Sequence, residues 1–519
     1  MYQIGLIVLL FIATFSNAQS RIDVLHYHFQ LQLSDASDTL KGTATITVKF
    51  LEDATSFKLQ LASIKNGKGM QVHSIKQSDT CFSNTHVGDT IAITLPALAP
   101  KNSVQTFTIT YAGIPADGLI ISKNKYNDRT FFADNWPNRA HQWLPCNDRP
   151  DDKATVAFDV TAPAQYKVIS NGLLTSEKTT GNETVTKWSE QNGIPTKVMV
   201  IGAARFAVMA FSDSSCVPVS AWVYPQDSAK GFYDYGLAPS ILHFFSQYIG
   251  PYPFEKLANV QSKTIFGGME NASAIFYGET TVTGDRESES LLAHEIAHQW
   301  FGNSATEKSF AHLWLSEGFA TYMTHLYLEQ KYGQDSFTKR LQADRAEIAQ
   351  FAAHWPNPVV DSASTLMDLL NANSYAKGGW VLHMLRQELG DTLFQKLIQT
   401  YYATYKYSNA DTWAFEKVAE VVSGKNLKQF FQQWLLTPGI PELYIQQEIT
   451  AQNVQLKIVQ QHRLFNFPLE IGLVKKDGTM QLQKVYLHEK ETTLNLNQPD
   501  VKQIVIDPHT KLLYTEVKR

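Results

Sequence analysis

Two histidines one helical turn apart, with a glutamate directly after the first, stand in His294-Glu295-Ile296-Ala297-His298. On a helix both imidazoles lie on one face and can reach a single metal ion. Glu295 is offset by one residue around that helix, so it can approach a metal-activated water without being a ligand. A catalytic zinc keeps three protein ligands and one open position, so a third ligand is required. Glu317, in Trp314-Leu315-Ser316-Glu317-Gly318-Phe319-Ala320, is the candidate. The eighteen residues between His298 and Glu317 are enough to end one helix, turn and return antiparallel. His294, His298 and Glu317 would then hold one Zn2+ per chain in a site suited to hydrolysis.

The elements around this motif follow from apolar periodicity. A helical pattern runs from Leu291 to Phe301 and stops at Gly302-Asn303; another runs from Leu315 to Tyr332 and stops at Gly333. Helices are also expected at Pro239–Tyr248, Tyr375–Glu388, Thr392–Tyr402 and Asp411–Val422, with a strand at Leu257–Ser262. Upstream, from about Val24 to Arg205, alternation as in Thr43–Phe50, Val104–Tyr111 and Lys167–Ser170 reads as an all-β domain. Downstream of Pro441 alternation returns, and seven short strands suggest a small β-sandwich. The expected divisions are residues 19–211, 212–440 and 441–519.

Composition excludes several classes. The 519 residues are 44% hydrophobic and 18% charged with a net charge of −4, which is globular and carries no basic excess for nucleic acid. An apolar run from Ile4 to Phe15 precedes Ser16-Asn17-Ala18, so residues 1–18 read as a signal peptide and imply a secreted or periplasmic protein. No later stretch is long and apolar enough to span a bilayer, and no stable membrane anchor is expected. Cys81, Cys146 and Cys216 permit at most one disulfide and no thiolate zinc site.

Several motifs in order give the chain a family resemblance. Gly267-Gly268-Met269-Glu270-Asn271 precedes His294-Glu295-x-x-His298 and Glu317; Tyr375-Ala376-Lys377-Gly378 follows, then Gln433-Trp434 and Gly439-x-Pro441. Leu144-Pro145-Cys146-x-Asp148-x-Pro150 lies upstream. Together these resemble the aminopeptidase N family of zinc metallopeptidases, which includes leukotriene hydrolase. The resemblance implies a multidomain α+β fold. It would comprise an N-terminal saddle-like β-sheet domain, a thermolysin-like, mainly helical catalytic domain and a small C-terminal β-sandwich. It further implies Glu295 as general base, Tyr375 as oxyanion donor and Glu270 as the carboxylate that binds the free α-ammonium of a peptide substrate. Gly267, Gly268, Met269 and Asn271 would flank the bound peptide, with no side chains at the two glycines to block it. Phe266 would floor the pocket for the first side chain and favour apolar or medium-sized residues.

Two departures stand out. The family's second amine contact falls near Asp134 or Trp136, with the alignment open between them. The family's long C-terminal helical domain has no counterpart after the sandwich, which implies a more open cleft. Three other readings stay open on the same residues: a zinc endopeptidase, a catalytically inactive peptidase-like binding protein, and a lipid-epoxide hydrolase side activity. Physiological substrate and oligomeric state are not legible.

Overall fold

The computed structural model describes residues 21–211 and 217–518; the leader-like residues 1–18 and Cys216 lie outside them. The N-terminal part is built on an eight-stranded sheet. Its strands Ile22–Gln32, Leu40–Phe50, Val104–Ile114 and Lys153–Pro163 each bury every second residue over much of their length, as the alternation predicts. Ile22–Gln32 pairs parallel to Lys153–Pro163 and antiparallel to Leu40–Phe50. A four-stranded antiparallel sheet (Lys167–Ser170, Ile201–Ala204, Arg129–Ala133 and Leu119–Lys123) and a three-stranded one complete this region. The Pro-Cys-x-Asp-x-Pro stretch is structural: Cys146 exchanges two backbone hydrogen bonds with Gln60, and Asp148 accepts from the Thr196 hydroxyl at 2.7 Å.

A five-stranded mixed sheet links the β region to the helices. Its strand Ala207–Phe211 pairs antiparallel with Val219–Val223, which runs parallel to Leu257–Ser262. Hydrogen bonding therefore places Ala207–Phe211 with the following unit, a few residues before the division expected at 211. The edge strand of this sheet is Gly268–Met269, antiparallel to Ala274–Gly278.

The helices follow. Glu289–Ala297 ends earlier than its expected limit at Phe301: the Gln299 and Trp300 amides bond three residues back, in turns, before the chain reverses at Gly302, where φ is +115°. Trp314–Tyr332 runs as expected. The next helix, Gln334–Ala352, was not among those the periodicity picked out; it buries only Phe337, Leu341 and Ile348, too sparse a stripe to stand out. Asp391–Tyr405 and Thr412–Ser423 match expectation, the latter capped by the Asp411 carboxylate accepting from the Ala414 amide at 2.9 Å.

Seven strands from Glu442 onward form a four-stranded and a three-stranded sheet, the expected small sandwich. It is tied firmly to the helices. Gln433 exchanges two hydrogen bonds with the Asn466 backbone, His383 Nε2 meets the Thr510 carbonyl at 2.9 Å, and Arg345 pairs with Asp507 at 2.6 Å. No helix among the described residues is long and apolar enough to cross a membrane.

Candidate active site and metal centre

The helices Glu289–Ala297 and Trp314–Tyr332 pack antiparallel. At one end Ser316 Oγ lies 3.2 Å from His298 Nδ1; at the other the Tyr327 hydroxyl donates to Glu289 at 2.7 Å. This brings the three expected ligands together. His294 Nε2 and His298 Nε2 lie 3.3 and 3.2 Å from Glu317 Oε2, and 3.0 Å from each other. Among the described residues they form a group whose donor atoms all lie within 4.8 Å.

The donor chemistry fits a dication. His298 Nδ1 faces the Phe301 carbonyl at 3.1 Å. A carbonyl only accepts, so Nδ1 carries the proton and Nε2 presents its lone pair. That lone pair points at a carboxylate oxygen and a second imidazole nitrogen, an arrangement that calls for a cation between them. The edges of a tetrahedral zinc site with nitrogen and oxygen ligands are about 3.3 Å, close to the observed separations. The electrostatics carry the same demand. Burial lowers the His298 imidazole, but the Glu317 carboxylate beside it overrides this and raises it to about 10. Burial opposes the Glu317 charge, yet the two imidazoles hold its carboxyl well below the usual range.

Glu295 is buried one residue around the helix, and burial raises its carboxyl well above the usual range, with His298 opposing and Glu270 and Glu317 reinforcing. It packs against the edge strand so tightly that a Cβ on Gly268 would come within 2.3 Å of Glu295 Oε1. Gly268 is therefore required by the carboxylate behind the strand as well as by anything that approaches its front. Tyr375 stacks on His294 with ring centroids 5.8 Å apart. Burial, then the nearby Glu317, pushes its phenol well above 10, so the group is a proton-bearing donor.

Tyr375 sits on a π-helical turn, Asn373–Lys377, that leads into the helix Gly378–Leu389, rather than on a regular helix as expected. That helix meets the Glu317 helix at contact distance. A Cβ on Gly318 would lie 2.8 Å from the Gly378 backbone, and one on Gly378 would lie 3.0 Å from Gly318 Cα. Two facing glycines thus set the distance between the tyrosine and the ligand helix. The Lys377 ammonium is buried and donates to the Gly439 carbonyl at 2.8 Å. The Tyr-x-Lys-Gly and Gly-x-Pro segments therefore meet in space.

The triad, Glu295, Tyr375 and the segment Phe266–Glu270 line one cavity of about 500 Å³. Glu270 is 6% exposed, and its Oε1 has no hydrogen-bond partner among the described residues. Its backbone is fixed by Gln299 and Asn303, whose side-chain amides donate to its carbonyl at 2.8 and 2.6 Å. Phe266 lines the cavity as expected and meets Trp136 edge-to-face at 6.0 Å. Asn271 is a correction: it is fully buried and does not line the cavity, because the chain turns inward after Glu270 through Ser273 at φ +60°. Between the two candidates for a second amine contact, Asp134 is already committed. It pairs with Arg139 at 2.7 Å and accepts from Ile265 N and Thr264 Oγ1 at 2.9 and 3.0 Å. Trp136 is the one that lines the cavity.

Sequence reasoning missed Ser290, Thr321, Thr324 and His325, which also line it. Helical spacing held the signal: Ser290 is one turn before His294, and Thr321 and His325 are one and two turns after Glu317.

Close to Glu270, the buried ammonium of Lys197 is hydrogen-bonded to the buried Glu307 carboxylate. Lys197→Met would leave Glu307 buried without its counter-charge. We expect a loss of about 3–5 kcal/mol in stability, read as a lower urea midpoint at unchanged slope.

The comparisons with known proteins agree with this geometry. Residues 24–198 match the Peptidase M1 N-terminal domain and residues 233–434 the Peptidase family M1 domain. A probable aminopeptidase 2 of Sulfurisphaera tokodaii is 29% identical over 389 residues, 71% of this chain and 49% of that protein. A leucyl aminopeptidase of Saccharolobus solfataricus is 26% identical over 518 residues, 94% of this chain and 62% of that protein. An M1 zinc metallopeptidase from Deinococcus radiodurans shares the fold with a TM-score of 0.71 at 24% identity, covering 82% of this chain and 95% of that one. The chain spans about half the length of curated relatives such as the first of these and the rice aminopeptidase M1-C, at 49% and 44%.

Proposed function

The chain belongs to peptidase family M1, and from that premise we propose that it is a zinc-dependent aminopeptidase that hydrolyses the N-terminal bond of peptides. The observation that carries this reading is Glu270. A carboxylate oxygen without a partner, at one end of the cavity that holds the triad, is suited to a free α-ammonium. Fixing the amine there leaves room for one residue before the metal ligands, which sets the position of the cut.

Zinc, held by His294, His298 and Glu317, supplies Lewis-acid polarisation and charge stabilisation at the scissile carbonyl. The chain's own residues do the rest. The edge strand Gly268–Met269 offers backbone groups to an extended peptide. Glu295 takes a proton from the attacking water and delivers it to the leaving amine. The Tyr375 hydroxyl donates to the carbonyl oxygen as negative charge develops there. Trp136 and Phe266 form an aromatic wall for an apolar first side chain. The reading includes export, on the leader-like residues 1–18.

The test compares peptides with free and N-acetylated amino termini. Wild type should cleave only the free form well. Glu270→Ala should lower kcat/KM on the free form about ten- to hundredfold, the worth of a hydrogen bond to a charged group. Equal wild-type efficiency on both forms would reject the aminopeptidase and favour the endopeptidase.

A further inference from the structure

The cavity has a direction. The Glu270 carbonyl is held by Gln299 and Asn303, beyond the His298 end of the helix Glu289–Ala297. Ser290 lies at the opposite end of that helix. The antiparallel Glu317 helix carries Thr321, Thr324 and His325 toward the same end, since its later residues Tyr327 and Tyr332 reach Glu289. A peptide whose amine sits at Glu270 and whose carbonyl sits at the triad must therefore place its next residue among Ser290, Thr321, Thr324 and His325.

His325 is the most specific group there. It is 7% exposed and lines the cavity, and its Nε2 is 2.7 Å from Asp344 on the neighbouring helix Gln334–Ala352. A carboxylate only accepts, so Nε2 carries the imidazole proton. In the neutral ring Nδ1 is then a lone-pair acceptor, and it has no partner among the described residues. A buried acceptor without a partner is costly beside an apolar group and is relieved by a donor. Ser290 and Thr321 add hydroxyl groups to the same end of the cavity.

We infer that His325, oriented by Asp344, selects the residue after the cleaved bond, favouring a side chain that brings an O–H or N–H donor over an apolar one of the same shape. The inference rests on the aminopeptidase reading. Its peptide probes are Ala-Thr-Gly and Ala-Val-Gly, which differ at one branch by hydroxyl against methyl. Cleavage of alanine p-nitroanilide by wild type reports on the aminopeptidase reading by itself.

Wild type should prefer Thr to Val by about five- to hundredfold in kcat/KM, the range set by leaving one buried polar group unpaired. His325→Leu should bring the ratio to one or below. His325→Gln keeps an acceptor oxygen and should keep part of the preference. A purely structural His325–Asp344 tie would change stability and the turnover of both peptides alike but leave the ratio alone. A wild-type ratio near one, with anilide cleaved, overturns the selection by His325 and leaves the aminopeptidase standing. An unchanged ratio in His325→Leu overturns it too. Failure of wild type to cleave the anilide overturns the aminopeptidase reading, and this inference with it.

Discussion

Glu295→Gln is expected to retain zinc and lose about two to four decades of kcat, the usual worth of a positioned general base. The amide has nearly the shape of the carboxylate but cannot accept the proton of the attacking water. The substitution leaves the three ligand atoms of His294, His298 and Glu317 untouched, so metal content should stay at one per chain. It also removes a carboxylate whose burial is itself unfavourable to the charged form, so the variant should unfold no more readily than wild type. Chelation gives the complementary result: activity falls to background in the wild-type protein and returns with added zinc. The measurements are metal analysis and single-turnover hydrolysis of an aminoacyl anilide. A zinc-replete Glu295→Gln enzyme with a normal rate would remove Glu295 from the mechanism.

The second large effect is expected for Tyr375→Phe. One oxyanion donor is worth about two to three decades in rate. The phenol bears its proton throughout the neutral range, because burial and Glu317 hold it well above 10. The rate loss should therefore be similar at every pH from 6 to 9. It should fall on kcat with KM little changed, since the oxygen charge exists in the transition state and not in the bound peptide. A rise in KM alone would make Tyr375 a binding residue.

The metal triad was legible because a helix converts sequence spacing directly into proximity. A spacing of four residues between the histidines becomes one turn, and a return helix supplies Glu317. The β regions were legible for a similar reason, since alternation maps onto the two faces of a strand. Legibility ended where position depends on contacts between distant segments. Asp134 and Trp136 differ by two residues, yet one is consumed by Arg139 and the 264–265 backbone while the other lines the cavity. Only the packed structure separates them. Asn271 carries the family motif but is turned into the interior by a backbone reversal the motif does not announce. How close the Tyr375 turn comes to the ligand helix depends on the meeting of Gly318 and Gly378, sixty residues apart in sequence. The helix Gln334–Ala352 escaped notice because its buried stripe is thin, and with it went Asp344, the partner that gives His325 its orientation.

The lysine two residues after Tyr375 has a mechanical consequence. Lys377 grips the Gly439 carbonyl at the threshold of the β-sandwich, and the helix that follows is held again from the far side by Thr510 through His383. Among the described residues the sandwich contributes none that lines the cavity, yet it acts as a buttress behind Tyr375. Loosening it would let the tyrosine drift while the metal ligands, anchored on other helices, stayed in place. Damage to this remote β unit should therefore resemble a mild form of the Tyr375→Phe defect, a metal-loaded enzyme with slow turnover, rather than a loss of zinc.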